Sequence, residues 1–591
     1  MKDRIRTVVR TFQAVGPILG NALKSGQFFR PQAELTDPDP DILCEYDVRI
    51  PMSEGFSVTA NIFRSKKAAD RDEKVPVVMC AHPYNNHLTP ALKKTPLNGP
   101  PQQYRLIPQT GGRPVFSKLT SWESPDPNFW IPAGYALVNM NLPGFSNSEG
   151  PPSAFSEHQG KCYYEAIEWV AKQPWCSGKV GLNGVSFLAI SQYHVAACQA
   201  YGGPPPSLYC ISPWEGLTDP YRDIFAFGGL WDNGFPTFWW AMKPTMNGTE
   251  EDFVESEGCI PPDYLENHPF YDDFWRAKAA KLEEITVPML VGASFSDHGL
   301  HTMGSFRAFE KAQSKHKWAY THRTGKWVAY YSPEVQQLTK DFMDCFLKDD
   351  TSSGFMDTPR VRLEVRASRD EIHEVRYEDE WPIARTQYTK LYLSEQPQSL
   401  SLETLDKQMD VVYPAKKGKA LFNFTFTEGT ELSGYMMLRV WVEARPGKAG
   451  EVSPDDMGMF IAVNKLDRDG NSVPFYGTVG LKKDMVTRGW CRASRRELDP
   501  AESTAWHPVQ KGASEQKLKT GAIVPVDISL YPSSTFFSVG DTLQLIIAGD
   551  EIIPSPPHRK DASFNRGKHV LHFGGKYDSY LLVPIIPSKG L

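Results

Sequence analysis

The stretch Val180-Gly181-Leu182-Asn183-Gly184-Val185-Ser186-Phe187-Leu188-Ala189-Ile190 constrains this chain more than any other. A β-branched, apolar run enters a Gly-x-Ser turn, and a helix-forming run from Phe187 to Ala200 leaves it. A serine between strand and helix has to sit on a tight turn with its Oγ pushed above the sheet. Small neighbours let the two elements approach closely. This is the setting of a nucleophile elbow. A bare Gly-x-Ser is common, so the reading depends on an acid and a histidine further along.

In α/β-hydrolases the order along the chain is serine, acid, histidine. Val287-Pro288-Met289-Leu290-Val291-Gly292-Ala293-Ser294 reads as a strand, with Asp297 at its carboxyl end. Lys317-Trp318-Ala319-Tyr320 reads as the next strand, with His322 just past it and a helix expected from Ser332-Pro333. Ser186, Asp297 and His322 are therefore the expected triad. His298 and His301 are rivals for the base, but they lie on the acid's own loop, so His322 ranks first. His322 would take the Ser186 proton and return it to the leaving group, with Asp297 orienting the ring. The backbone N–H of Phe187 is one expected oxyanion donor. The second should come from the loop after an early strand, where Tyr84 follows Cys80-Ala81-His82-Pro83, through its hydroxyl or its backbone N–H.

The 591 residues exceed what one core supports, so two or three domains are expected. From about 42 to 352, short apolar strands alternate with helices expected at 158–173, 187–201, 301–313 and 333–348, the pattern of an α/β domain with helices on both faces of its sheet. Between 214 and 285 this alternation stops and aromatics crowd in, which suggests a helical cap inserted between 42–213 and 286–355. From 356 to 591 alternating strands and turn-residue clusters predict an antiparallel β-sandwich; Val361-Arg362-Leu363-Glu364-Val365 is read as one of its strands. In 1–41, Ile5, Val8, Val9, Phe12 and Val15 recur at helical spacing with basic residues between, which suggests a docking helix.

A net charge of −6 gives no reason to expect nucleic acid as a partner. No apolar run reaches the roughly 18 residues of a membrane span. Nine scattered cysteines without a Cys-x-x-Cys pair suggest neither a disulfide framework nor a metal site. A cytoplasmic enzyme with reduced thiols and no cofactor is the expectation. A homo-oligomer is compatible with it.

Several motifs resemble the CocE/NonD hydrolases, the family of cocaine esterases and Xaa-Pro dipeptidyl-peptidases. Ala81-His82-Pro83-Tyr84 stands where that family has Arg-x-Pro-Tyr, and the resemblance implies that the Tyr84 hydroxyl is an oxyanion donor. Asn141-Leu142-Pro143-Gly144-Phe145-Ser146-Asn147-Ser148-Glu149-Gly150 matches its Asp-x-Arg-Gly-x-Gly-x-Ser-Glu-Gly. Trp175-Cys176-Ser177-Gly178-Lys179-Val180-Gly181 matches the approach to its elbow. The resemblance implies an α/β-hydrolase with a helical cap and a C-terminal jelly-roll-like β-sandwich. His82, Asn141, Pro143 and Ala189 depart from the pattern, which loosens any transfer of substrate specificity.

The expected reaction is hydrolysis of a small-molecule ester, with amide and thioester as alternatives, through an acyl-enzyme on Ser186. An acyltransferase or macrocyclase using the same triad and an Xaa-Pro dipeptidyl-peptidase are the rival functions. Trp214, Phe225, Trp231, Phe235 and His298 are candidates to line the substrate pocket. Glu215, Asp219, Asp223 and Asp232 read as a solvated acidic face, with a hold on a cationic amine as the alternative.

Overall fold

The computed structural model describes residues 15–87, 89–92, 103–242, 267–394, 398–554 and 558–587. Part of the expected cap, 243–266, and Ile5, Val8, Val9 and Phe12 of the expected N-terminal helix lie outside the described residues. Residues 15–24 are helical, and Ile18 and Ala22 pack against Leu106 and Phe238.

Nine successive strands run through the central sheet, β1 Ile42–Pro51, β2 Ser57–Ser65, β3 Val75–His82, β4 Ala136–Asn141, β5 Cys176–Val185, β6 Leu208–Trp214, β7 Met289–Ser294, β8 Lys317–His322 and β9 Val361–Arg366, and Ile372–Glu378 continues it beyond β9. Their order in space is β1-β2-β4-β3-β5-β6-β7-β8-β9; the β1–β2 and β2–β4 pairs are antiparallel and the rest parallel. Parallel strands are covered on both faces, which is why β3 and β7 read as continuous apolar runs. This part of the chain also carries the helices α1 Glu157–Ala171, α2 Phe187–Ala196, α3 Phe235–Met242, α4 Thr302–Lys311, α5 Lys326–Tyr330 and α6 Pro333–Leu347.

Two hydrophobic clusters cover the two faces. One holds Cys162, Ala166, Leu188 and Val195 from α1 and α2. The other holds Trp318, Phe342, Met343 and Leu347. Gly181 in β5 lets α6 lie close on the sheet: a Cβ there would come within 2.7 Å of Met343 Sδ. Ser156 and Ser332 cap α1 and α6 by accepting the N–H of Gln159 and Val335.

The C-terminal part is antiparallel β-structure. Met437–Arg445 pairs with Val524–Ser529, Lys568–Phe573 and Tyr580–Ile586. Gly458–Leu466 pairs with Thr487–Arg492 and Thr542–Ala548. Inward residues of both sets, such as Val440, Val442, Ile461, Val463, Leu545 and Ile547, share one core. The strand at 361–366 departs from the sequence expectation. It lies parallel to β8, with Ala319 opposite Val361, and so extends the central sheet, while its other edge pairs antiparallel with Ile372–Glu378. Its buried Arg366 donates to Phe295 O on one side and to Val486 O and Ser534 O on the other, which ties the sheet to the C-terminal β-structure.

Among the described residues the eight cysteines are all unpaired as disulfides, and no helix is long and apolar enough to cross a membrane.

Candidate active site

Ser186 links β5 to α2 with φ 60° and ψ −115°, in a region a non-glycine residue rarely enters. The turn is held from both sides. Ser186 N–H donates to Trp214 O at 3.0 Å, and Ser186 O accepts from Ala189 and Ile190 N–H. Gly184 just before it has φ 153°, and a Cβ there would meet Leu188 Cβ at 2.5 Å, so the close approach of strand and helix needs glycine. The result is a side chain set above the sheet edge. Its Oγ lies 3.1 Å from His301 Nε2.

The histidine at Ser186 is thus His301, which corrects the choice of His322. β7 ends at Ser294 and the chain turns through Asp297, whose carbonyl accepts from the N–H of Leu300, His301 and Thr302. This turn sets acid and histidine four residues apart on one loop, with His301 Nδ1 2.5 Å from Asp297 Oδ2. His322 is the last residue of β8 and pairs in register with Ser294, one layer below the site. There its ring stacks on Trp214 at 5.3 Å and its Nε2 lies 2.9 Å from Glu215 Oε1. Glu215 Oε2 accepts from Ser294 Oγ at 2.8 Å.

After β8 the chain makes a further turn and arrives at the site with a lysine. Lys326, the first residue of α5, places Nζ 2.6 Å from Asp297 Oδ2 and 2.7 Å from His301 Nδ1. Burial alone would raise the Asp297 carboxyl, but Lys326 and His301 overcome it and hold it well below the usual carboxylate range. Burial, joined by Lys326, pushes His301 below the ordinary imidazole value, against Asp297 and Glu215. The ligand-capable atoms of Glu215, Asp297 and His301 lie within 4.8 Å of one another, a spacing a cation could use. The Lys326 ammonium already supplies the positive charge at Asp297, so these residues read as a hydrogen-bonded set and not as metal ligands.

Tyr84 lies in the loop after β3, 6% exposed, with its ring stacked on His82 and edge-on to Phe187. Its Oη accepts from Trp239 Nε1 at 3.3 Å, which leaves the phenolic hydrogen free to turn. Burial pushes this phenol well above its usual value, so it stays a donor. Phe187 opens α2, where the first N–H groups have no partner within the helix.

A cavity of about 60 Å³ opens on Ser186 and brings together Tyr84, Trp122, Glu123, Phe235, Phe238, Trp239, Lys326, Trp327 and Val479. Of the five expected pocket residues, only Phe235 is among its walls. Trp214 is covered by His322 beneath the site; Phe225 packs on Trp275; Trp231 stands edge-on to Tyr221; His298 sits against Tyr531. Each of these four is taken up by packing within the body and so stands outside the cavity wall.

The expected acidic face is likewise internal. Glu215, Asp219, Asp223 and Asp232 are all buried. Asp219 pairs with Arg222, Asp223 with Arg307, and Asp232 caps the turn into α3 through Gly234 and Phe235 N–H while meeting His558 at 2.8 Å.

Sequence reasoning missed Glu123. Its backbone has φ 65° and its carbonyl accepts from Val185 N–H beside the elbow. Oε1 accepts from Trp327 Nε1 at 3.0 Å, whereas Oε2 is buried without a hydrogen-bond partner. Burial pushes its carboxyl up to about 8, against the opposing pull of Lys326.

Comparison with known proteins gives this geometry its family. Residues 54–328 match the X-Pro dipeptidyl-peptidase (S15 family) model, and 353–582 the X-Pro dipeptidyl-peptidase C-terminal non-catalytic domain. Cocaine esterase from Rhodococcus sp. is 24% identical over 402 residues, 59% of this chain and 62% of the esterase, so the match spans less than two thirds of that relative. An α-amino acid ester hydrolase, 15% identical with a TM-score of 0.63 over 92% of this chain and 97% of its own, shares the fold. A CocE/NonD family hydrolase from Staphylococcus aureus is 35% identical, with a TM-score of 0.79 over 92% of this chain and 94% of that one. With that identity sustained along both chains, the protein belongs to the CocE/NonD family of hydrolases and is an enzyme of the S15 serine-hydrolase type.

Proposed function

We propose that the enzyme cleaves carboxylic esters through an acyl-enzyme on Ser186, with His301 as general base and acid and Asp297 as the group that orients it. The observation that carries this reading is the unbroken run from Ser186 Oγ through His301 Nε2 and Nδ1 to Asp297 Oδ2. Ser186 Oγ attacks the ester carbonyl while its proton passes to His301 Nε2. The oxyanion is met by the Tyr84 hydroxyl and the Phe187 N–H. Collapse breaks the ester C–O bond, and His301 returns the proton to the departing alkoxide. Water then attacks the acyl-enzyme, with its proton taken by His301, and the acid leaves as Oγ is reprotonated. The largely aromatic wall of the cavity suits an apolar acyl or alcohol group.

The free Glu123 Oε2 favours a second reading in which the acyl group carries an amine. The four acids of the inserted segment are already committed to other groups, so Glu123 is the acidic side chain in the cavity available for such a partner, and an ammonium beside it would draw its buried carboxyl into the ionised form. Paired assays of wild type and Ser186→Ala on p-nitrophenyl propionate, p-nitrophenyl alaninate and an alanyl-prolyl anilide separate these readings. Ester turnover lost in the variant supports the ester hydrolase, and a preference for alaninate supports the role of Glu123. Turnover of the anilide alone points to the peptidase. Ester turnover that survives in Ser186→Ala defeats the reading.

A further inference from the structure

We propose that Lys326 is a positioning residue whose ammonium, shared between Asp297 Oδ2 and the Nδ1 side of His301, keeps the imidazole neutral and correctly oriented in the resting enzyme. The inference rests on the assignment of Ser186 and His301 above.

The geometry has three parts. First, Nζ lies 2.6 Å from the same carboxylate oxygen that His301 Nδ1 reaches at 2.5 Å, so two donors converge on one acceptor. An ammonium has no lone pair to offer, which makes Asp297 Oδ2 the acceptor for both. With Nδ1–H pointing at Asp297, Nε2 carries the lone pair that faces the serine, the tautomer a general base requires. Second, Nζ is 2.7 Å from Nδ1 itself. A second positive charge on the ring would stand against that ammonium in a site where His301, Asp297 and Lys326 are all buried. Third, the lysine is fixed from behind. Gly325 N–H donates to Thr110 O, and a Cβ at Gly325 would meet Thr110 Oγ1 at 2.8 Å.

The other charges around His301 act in known directions. Asp297 on its own loop and Glu215 after β6 favour the imidazolium; burial and Lys326 at the start of α5 oppose it and prevail. Glu123, across the cavity, acts on Lys326 and Asp297, and His322 faces Glu215 from β8. In a Ser–His–Asp set without the lysine, the carboxylate would hold a proton on the ring to higher pH. Here that charge is shared with a cation, so the base is free at lower pH.

Fluorophosphonate labelling of Ser186 as a function of pH reads this directly and needs no natural substrate. The wild-type labelling rate should reach half its maximum below about 6.5, the ordinary histidine value. In Lys326→Met and Lys326→Gln the half-point should rise by about one pH unit or more, the range expected for a charge within a few ångströms. Lys326→Arg, which keeps the charge, should hold it near the wild-type value. A lysine that only supports the fold would lower the melting temperature without moving this half-point. A half-point unmoved in folded Met and Gln variants overturns the proposal. So does a wild-type half-point at or above about 6.5, which is decisive even where the variants do not fold. Absence of labelling at Ser186 in the wild type at any pH would instead bring down the assignment of the nucleophile.

Discussion

Replacing Tyr84 with phenylalanine removes one atom and tests the oxyanion assignment. The ring keeps its neighbours, with its stack on His82 at 5.7 Å and its edge contact with Phe187 at 6.5 Å. Two things are lost. One is the hydroxyl that would meet the developing oxyanion. A preorganised donor of this kind is worth about 3 kcal/mol in the transition state, or roughly a 150-fold fall in kcat. The other is the acceptor for Trp239 Nε1, at 3.3 Å in the wild type. A partly buried N–H left without a partner costs about 1 kcal/mol of folding stability. The two effects separate in measurement: kcat on a p-nitrophenyl ester reads the first and thermal unfolding reads the second. KM should change little, because the ground-state carbonyl makes weaker use of the donor than the oxyanion does. A kcat within about threefold of wild type, with Ser186 still labelled, would show that Tyr84 donates nothing to the transition state, and the reasoning would be refuted.

Two further outcomes are expected. His301→Ala should lower kcat/KM by about 10³-fold or more and slow fluorophosphonate labelling in parallel, whereas His322→Ala should leave labelling within about tenfold of wild type while costing about 3 kcal/mol in stability, because Glu215 is left buried without its neighbour; the reverse pattern would restore His322 as the base. Glu378, where burial opposes but Arg385 and Arg376 prevail, is held down to about 2. A depressed carboxyl stabilises the fold above its unfolded value of about 4.3, and that stability is lost as pH falls through the folded value, so the melting-temperature gap between wild type and Glu378→Gln should be full at pH 7 and shrink between about pH 4.5 and 2. A gap independent of pH would show that the Arg–Glu cluster does not titrate as its geometry implies.

Much of the scaffold was legible in the sequence because it follows from local rules. The continuous apolar runs of β3 and β7 signal strands buried on both faces. Gly184 and Ser186 mark a turn that only a strand-to-helix crossing of this tightness requires. The helices at 157–171 and 333–347 announce themselves by serine caps. What the sequence hid was pairing at long range. Val361–Arg366 alternates like a sandwich strand, and nothing local says that its neighbour is β8. The aromatics from Trp214 to Trp231 look like pocket walls, yet their positions are set by contacts with Tyr320, Trp275 and Tyr221 that no spacing reveals.

The histidine is the instructive case. Both candidates satisfy the chain order of serine, acid and histidine, and His322 stands where a loop after the last parallel strand was expected. The decision turns on the end of β8. The strand runs on through Thr321 and His322, in register with Ala293 and Ser294, so the His322 side chain is spent inside the sheet against Trp214 and Glu215. The loop therefore starts only at Arg323, and it delivers Lys326 to the acid. With a cation there, the base has to come from elsewhere. The spacing of Asp297 and His301 supplies it, since residues four apart across a helical turn face the same way. A lysine six residues past the expected strand end at Tyr320, and four past the observed one at His322, was the local sign available. It becomes readable only once the strand's true length is known, because a one-residue change in where β8 ends swaps which side chains face the site.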